Sequence, residues 1–420
     1  MMVNTGGRRR FSRLAGALAA GLRASGVLAV GAVSLSATAG SAATTAAATT
    51  AAATAAAAAS GGTAHAAVST AGLTAQARAQ VPWSKVGQGW VLAEYDSGPA
   101  GKTAPVTLYL VSPAGVRYSM HTWSGRGMIP YLIAWSGDKT RALLGLLGSQ
   151  YEQLTLSTGK LTSGKLAGQA QPMGYTTPDG QNLLGVTEAN SSGGAATVAR
   201  YTLTGKLAKV LTRGVDENNA VYATNGATLA VSGAKGLELV SNGGGVIRKL
   251  PVPGTNAALG CNPSRWWNAT TVLAECLGTG VYSVPRLWLV PTDGKRPVAL
   301  TPQRGSKGPD LGDVGGWQLS SGLYVQGLTG CGTMAIFKQA ANGSIKVVNV
   351  PGASGNNNQI VTALGARLLV HAQTGCPGSS SLLWFNPATR AEQWLLRTPA
   401  KDAGVIGVVA YNSTENAQPF

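Results

Sequence analysis

The 420-residue sequence has few of the side chains that carry acid–base or metal chemistry. It contains 16 Asp and Glu, 3 His and only 12% charged residues in total. Neither a Gly-x-Ser-x-Gly motif nor a Cys-x-x-Cys spacing occurs anywhere in it. The sequence therefore predicts no catalytic site, no cofactor and no metal site. With 44% hydrophobic residues, the low charge also argues against a mainly disordered chain.

The amino-terminal segment has the pattern of an export signal. Residues 1–13 contain four Arg and no acid, and an Ala-, Leu- and Val-rich stretch and the small residues Ala37–Ala39 follow. This pattern predicts a signal peptide over 1–42, of either the general-secretory or the twin-arginine type, so we expect a secreted or cell-envelope protein. An uncleaved membrane anchor is the alternative. Removing residues 1–78 takes away six Arg and no acid, which lowers the net charge from +17 to +11.

The next segment, 43–80, is predicted to be a disordered low-complexity spacer. Residues 42–59 contain only Ala and Thr, with no apolar periodicity that would give a helix a face to bury.

From residue 81 to residue 420 a unit of two β-hairpins repeats. Seven turns of one kind lie between Gly115 and Thr389, 274 residues apart, which gives a period of about 46 residues. Most are Asn-Gly, Asp-Gly or Thr-Gly turns between apolar strands, and such turns require positive φ. A four-stranded antiparallel unit of this length predicts an all-β fold, a seven-bladed β-propeller. Six or eight blades, and a pair of β-sandwiches, are the alternatives.

The carboxy-terminal strand Gly404–Tyr411 has two interpretations. It either completes the first blade or begins an incomplete eighth.

Two hairpins resemble those of a known group. Thr177–Leu184 resembles the Ser-Pro-Asp-Gly hairpin of TolB-like (WD-type) propellers, and Trp135–Leu144 is a looser copy. With its leader, the whole chain is similar to secreted actinobacterial propellers of this type. The resemblance implies the fold and a ligand-binding rim near the central channel, but most blades lack the Pro-Asp pair. No partner of TolB is therefore carried over.

The four cysteines lie at related places in the repeat. Cys261 and Cys276 are centred on a predicted turn, and Cys331 and Cys376 are 45 residues apart. In an exported protein this predicts the disulfides Cys261–Cys276 and Cys331–Cys376, although four cysteines allow three pairings.

The predicted rim carries charged residues in loops. Asp310 and Asp313 weakly resemble a calcium loop, and Arg265–Trp267 could form either a surface platform for sugars or part of the packing between blades. The basic residues are scattered, which disfavours nucleic acid. We therefore expect a monomeric binding or scaffold module for an envelope or extracellular protein or glycan, without a transmembrane segment after processing. An extracellular hydrolase or lyase acting on polysaccharide or peptide is the alternative. The candidate rim residues are Arg126, Asp216, Glu217, Arg304, Lys307, Asp310, Asp313, Lys401 and Asp402.

Overall fold

The computed structural model describes thirteen segments of the chain between residues 74 and 411. They are 74–98, 104–124, 129–187, 196–215, 220–233, 235–255, 260–279, 284–305, 311–329, 333–351, 357–374, 379–398 and 403–411. The predicted signal peptide and most of the predicted spacer lie outside these residues.

Five sheets share one design, in which four consecutive strands pair antiparallel with their neighbours along the chain. The first two contain β5 (Tyr131–Trp135), β6 (Arg141–Gly145), β7 (Gln150–Thr155) and β8 (Lys160–Lys165), then β9 (Gln171–Tyr175), β10 (Asn182–Thr187), β11 (Ala196–Thr202) and β12 (Leu207–Val215). The next two contain β13 (Ala220–Tyr222), β14 (Thr228–Gly233), β15 (Gly236–Ser241) and β16 (Val246–Pro251), then β17 (Cys261–Asn268), β18 (Thr271–Leu277), β19 (Pro285–Pro291) and β20 (Val298–Ala299). The fifth contains β21 (Asp313–Leu319), β22 (Gly322–Leu328), β23 (Met334–Gln339) and β24 (Ile345–Val347).

The remaining strands join the two ends of the chain. The strand β29 (Gly404–Ala410) pairs antiparallel with β2 (Val91–Asp96), with Val91 opposite Ala410. Of the two predicted arrangements, this is the one in which the carboxy-terminal strand joins the first sheet. A single bridge between Ser380 and Gly404 connects this sheet to the last one. The other strands are β3 (Val106–Val111), β4 (Arg117–Trp123), β25 (Asn357–Leu364), β26 (Arg367–Gln373), β27 (Ser380–Phe385) and β28 (Glu392–Leu396).

Contacts with the first sheet extend upstream of residue 81, into the segment predicted as spacer. The short strand β1 (Gln76–Ala77) pairs in parallel with β4, and Arg78 Nη1 donates to the carbonyl of Met120 at 2.9 Å. Residues 76–78 therefore pack against the first sheet. Three short 3₁₀ helices are described: Arg78–Gln80, Trp83–Lys85 and Ala167–Gln169. None of the helices in the described segments is long and apolar enough to cross a membrane.

The turns have the chemistry that their sequences predict. Gly205 has φ +85°, and a Cβ there would lie 2.1 Å from the Lys165 carbonyl oxygen, so only glycine fits. Asp138 Oδ1 accepts from the Thr140 amide at 3.0 Å, and Asp179 Oδ1 accepts from the Gln181 amide at 3.0 Å. Both carboxylates therefore act as turn formers.

The core lies between sheets rather than within one. Seven buried apolar clusters are found in the described residues, and each draws its members from two sheets that are neighbours along the chain or from the last and first sheets. In β18, for example, Val272 and Ala274 contact the preceding sheet, while Leu273 contacts the following one. Strands buried on both faces need apolar residues at successive positions, which explains their near-continuous apolar runs. Four-stranded antiparallel sheets packed in this way are consistent with a β-propeller.

Candidate functional site

One position near the end of each second strand lies at the boundary with the following sheet. In β18 it is Glu275, two residues after Leu273, so alternation along the strand places both side chains on the face toward β21–β24. We call these residues the second-strand positions. They are Glu94, Gly145, Val186, Ser232, Glu275, Gln326 and His371.

Two of these side chains accept hydrogen bonds from the backbone of the next sheet. Glu94 Oε2 accepts from the Leu132 amide at 2.8 Å, and Gln326 Oε1 accepts from the Ile360 amide at 2.7 Å. Both amides belong to the first strand of the following sheet. Each bond therefore connects two neighbouring sheets directly.

Ser232 and His371 make connections of the same kind. Ser232 Oγ donates to Asn262 Oδ1 at 3.0 Å, and His371 Nε2 donates to the Val405 carbonyl at 2.9 Å. Burial lowers the pKa of His371 to about 4, only partly opposed by its hydrogen bond to Val405, so the imidazole is neutral at neutral pH. The geometry of His371 fits a structural role.

Glu94 is fully buried where β2, β29 and β5 meet. Burial raises the pKa of its carboxyl group to about 8, and the hydrogen bond from Leu132 opposes this rise. Its second oxygen, Oε1, has no hydrogen-bond partner in the described part of the chain. Glu94 is therefore mainly protonated at neutral pH.

Glu275 differs from the other polar second-strand residues. Its side chain is half-buried, and within the described segments its carboxylate makes no hydrogen bond and no ion pair. Burial alone raises the pKa of Glu275 to about 7, with no charged neighbour contributing. The carboxyl group therefore changes its protonation state near neutral pH.

A disulfide holds the backbone around Glu275. Cys261 and Cys276 are Cα partners in the β17–β18 hairpin and form the bond that the sequence predicts, with a Cα–Cα distance of 4.2 Å. The adjacent pair, Asn262 and Glu275, is therefore held in register. The predicted Cys331–Cys376 disulfide lies outside the described residues.

Of the nine predicted rim residues, the structure describes Arg304 and Asp313. They form an ion pair, with Arg304 Nε 3.2 Å from Asp313 Oδ2. Arg304 also donates to the Gly343 carbonyl at 2.9 Å and to Gln339 Oε1 at 2.7 Å, and Asp313 is fully buried. This pair connects elements within the protein. The other seven residues, including Asp310 of the suggested calcium loop, lie outside the described segments.

The described residues contain no group of three His, Cys, Asp or Glu side chains placed to hold a metal ion.

The Arg265–Trp267 run does not form a continuous surface platform. Trp266 is buried, and its Nε1 donates to the Val221 carbonyl at 3.2 Å. The Arg265 guanidinium lies 4.9 Å from the Trp267 ring and 5.5 Å from the Trp317 ring. Register shifts on both sides of Arg265 and Trp266 redirect these side chains, and no residue pattern marks such bulges in advance.

Sequence reasoning also missed Glu94 and Glu275, although a signal was present. Residues 91–94 and residues 272–275 both read Val-Leu-Ala-Glu. An acid at the same place in two apolar strands marks a repeated carboxyl group at the boundary between sheets. The motif alone does not distinguish the hydrogen-bonded residue from the unpartnered one.

No protein-family model matches the chain, and no curated protein matches it. The structure is similar to the β-propeller domain of the trilobed protease from Pyrococcus furiosus, with 11% identity and a TM-score of 0.49 over 74% of this chain and 96% of that one. It is also similar to a prolyl endopeptidase, with 12% identity and a TM-score of 0.48 over 74% of this chain. This chain spans only 50% of the endopeptidase.

A third similar structure is the periplasmic gluconolactonase of Pseudomonas aeruginosa, with 12% identity and a TM-score of 0.44 over 76% of this chain and 99% of that one. These similarities carry no functional argument. The assignment of the fold is based on the strand order and packing of this chain.

Proposed function

We propose that this protein is an exported, seven-bladed β-propeller that binds a ligand in the cell envelope or the extracellular space. The blade count is supported by the five four-stranded sheets, by β25–β28, and by β29 pairing with β2–β4. The seven apolar clusters found between sheets in the described residues are the number expected for a ring of seven units, whereas an open row of seven has six. The basic leader and the resemblance to secreted TolB-like propellers support export.

The observation that carries the binding role is the carboxyl group of Glu275, which has no partner in the described part of the chain. Four other second-strand residues use their polar atoms to connect sheets, whereas Glu275 does not. A carboxylate is a hydrogen-bond acceptor, and such a group suits the hydroxyl groups of a glycan. We therefore propose an envelope or extracellular glycan as the ligand.

Two experiments with the purified full-length protein test this proposal: a pull-down from the native culture, followed by a glycan array. Glu275→Ala should weaken binding about tenfold or more, because hydrogen bonds to charged groups contribute roughly 1.5–3 kcal/mol. Glu238→Ala is the matched control, since Glu238 lies in a different sheet and is 4.0 Å from Lys249. Unchanged binding by Glu275→Ala would exclude this carboxyl group as the site. If neither experiment enriches a glycan, the glycan-binding role is excluded and only a structural role remains for this protein.

The alternative function is a hydrolase or lyase acting on polysaccharide or peptide. It is favoured by one observation: a carboxyl group with a pKa of about 7 suits a general acid or base at neutral pH. Release of reducing ends or peptide fragments would be measured with the wild type and with Glu275→Gln. In this function the Gln variant loses turnover but retains substrate binding. Turnover that survives Glu275→Gln would rule out Glu275 as the acid.

A further inference from the structure

The outermost strands of three consecutive sheets carry exposed basic side chains. These strands are β12, β16 and β20, together with the turns that lead into them. The outer basic face consists of seven exposed residues: Lys206, Lys209, Arg213, Arg248, Lys249, Lys295 and Arg296. In these strands and turns the only carboxylate is that of Asp293, which lies 2.7 Å from the ammonium group of Lys295. One further carboxylate, Glu238 in the neighbouring strand β15, lies 4.0 Å from the ammonium group of Lys249. The surface is therefore strongly positive.

Contacts between the strands make this surface continuous. The Gly245 amide donates to the Leu211 carbonyl at 2.8 Å, which connects the start of β16 to β12. Arg248 Nη1 donates to the Thr292 carbonyl at 3.1 Å, which connects β16 to the turn before β20. The basic residues of the three sheets thus lie on outer strands that contact one another.

The same strands expose large apolar side chains. Ile247 is 53% exposed and Val298 is 61% exposed, and Leu207 and Val246 are also exposed. Exposed lysines, if they were the only feature of these strands, could be explained as protection of a sheet edge against pairing with other chains. Exposed Ile, Leu and Val side chains have the opposite effect, because they promote association of the edge with other apolar surfaces. Edge protection therefore does not account for this face.

We propose that the outer basic face docks on an anionic lipid bilayer. Basic side chains are attracted to anionic headgroups, and apolar side chains between them enter the interfacial region. A soluble anionic polysaccharide would satisfy the charges but would leave the apolar residues exposed to water. The face does not include Glu275, and the docking does not depend on the glycan proposal. The two proposals therefore fail independently.

Co-sedimentation of the full-length protein with vesicles tests the docking. One set of vesicles contains phosphatidylcholine alone, and the other contains phosphatidylcholine with 30% phosphatidylglycerol. We expect binding to the anionic vesicles only. Arg248→Gln with Lys249→Gln should weaken it about thirtyfold, equivalent to roughly 2 kcal/mol for two charges. The matched control is Lys338→Gln with Lys346→Gln, which removes two exposed charges from β23 and β24.

A second double variant separates a bilayer from a polyanion. Val246→Ser with Ile247→Ser keeps every charge, so it should lose vesicle binding while it retains any binding to soluble dextran sulfate. Vesicle binding that survives this change would overturn the proposal in favour of a polyanion site. Absence of wild-type binding to anionic vesicles would also overturn it, leaving the charges to protect the sheet edges. Unfolding temperatures equal to that of the wild type establish that each variant is folded.

Discussion

Replacing Glu94 with Gln should change how the stability of the protein depends on pH. The carboxyl pKa is about 8 in the folded protein and 4.5 in the unfolded reference. The folded state therefore holds a proton that the unfolded state releases above pH 4.5. This contribution to stability is complete below pH 4.5 and is lost as the pH rises toward 8.

The magnitude follows from the difference in pKa. Each pKa unit corresponds to about 1.4 kcal/mol, so the full window is worth on the order of 5 kcal/mol for this fully buried group. Gln keeps the acceptor for the Leu132 amide but does not titrate. The free energy of unfolding of Glu94→Gln minus that of the wild type should therefore increase by several kcal/mol between pH 4.5 and pH 8.

His371 makes stability depend on pH in the opposite direction, and its contribution is the same in the wild type and in Glu94→Gln. Its folded pKa is about 4, lowered from 6.5, so its contribution is present above pH 6.5 and is lost as the pH falls toward 4. Glu275, with its pKa raised to about 7, also lowers stability as the pH rises from 4.5 to 7 in both proteins. In the wild type the contributions of Glu94 and Glu275 outweigh that of His371, so stability should decline from pH 4.5 to pH 8. In Glu94→Gln the contributions of Glu275 and His371 oppose each other up to pH 6.5, so stability should change little there and should not decline between pH 7 and pH 8.

Urea unfolding at half-unit steps from pH 4.5 to pH 8.5, with the disulfide kept oxidised, measures this difference. Taking the difference between variant and wild type removes the contributions of His371 and Glu275. Parallel curves for the two proteins would refute the assignment of a buried, protonated carboxyl group to Glu94.

Two further predictions concern the ends of the chain and the hairpin beside Glu275. Deleting residues 403–420 removes β29 from its pairing with β2, so calorimetry should show a sharply lower unfolding temperature; an unchanged temperature would contradict a role for β29 in holding the first sheet. Replacing Cys261 and Cys276 with Ser removes a cross-link of sequence separation 15, and urea unfolding should show a loss of about 3 kcal/mol. Equal stability of the reduced and oxidised wild type would argue against that contribution.

Much of the fold could be predicted because its signals are local. A Gly with positive φ, an Asp that accepts from an amide two residues later, and apolar strands of similar length are all properties of short segments. The Cys261–Cys276 pairing could be predicted for the same reason, since the symmetry of one hairpin determines which residues lie opposite. The register shifts in β17 were not predicted, and beside them Trp266 packs against the preceding sheet.

The candidate site was less accessible to sequence reasoning. Rim residues can be placed from the order of strands and loops, but Arg304 and Asp313 proved to be paired with each other. A pairing of this kind depends on distances between side chains from different turns. Glu275 was overlooked because the repeated Val-Leu-Ala-Glu segment does not show whether its carboxyl group has a partner.

The sequence by itself determined the repeat, the turns and the register of the disulfide hairpin, because each depends on residues close together along the chain. Only the tertiary structure decided what the two Val-Leu-Ala-Glu segments do. Glu94 meets the Leu132 amide of the next sheet, whereas Glu275 meets no partner in the described part of the chain. Four identical residues thus have different roles, because the cost of burying a carboxyl group depends on the neighbouring sheet that surrounds it.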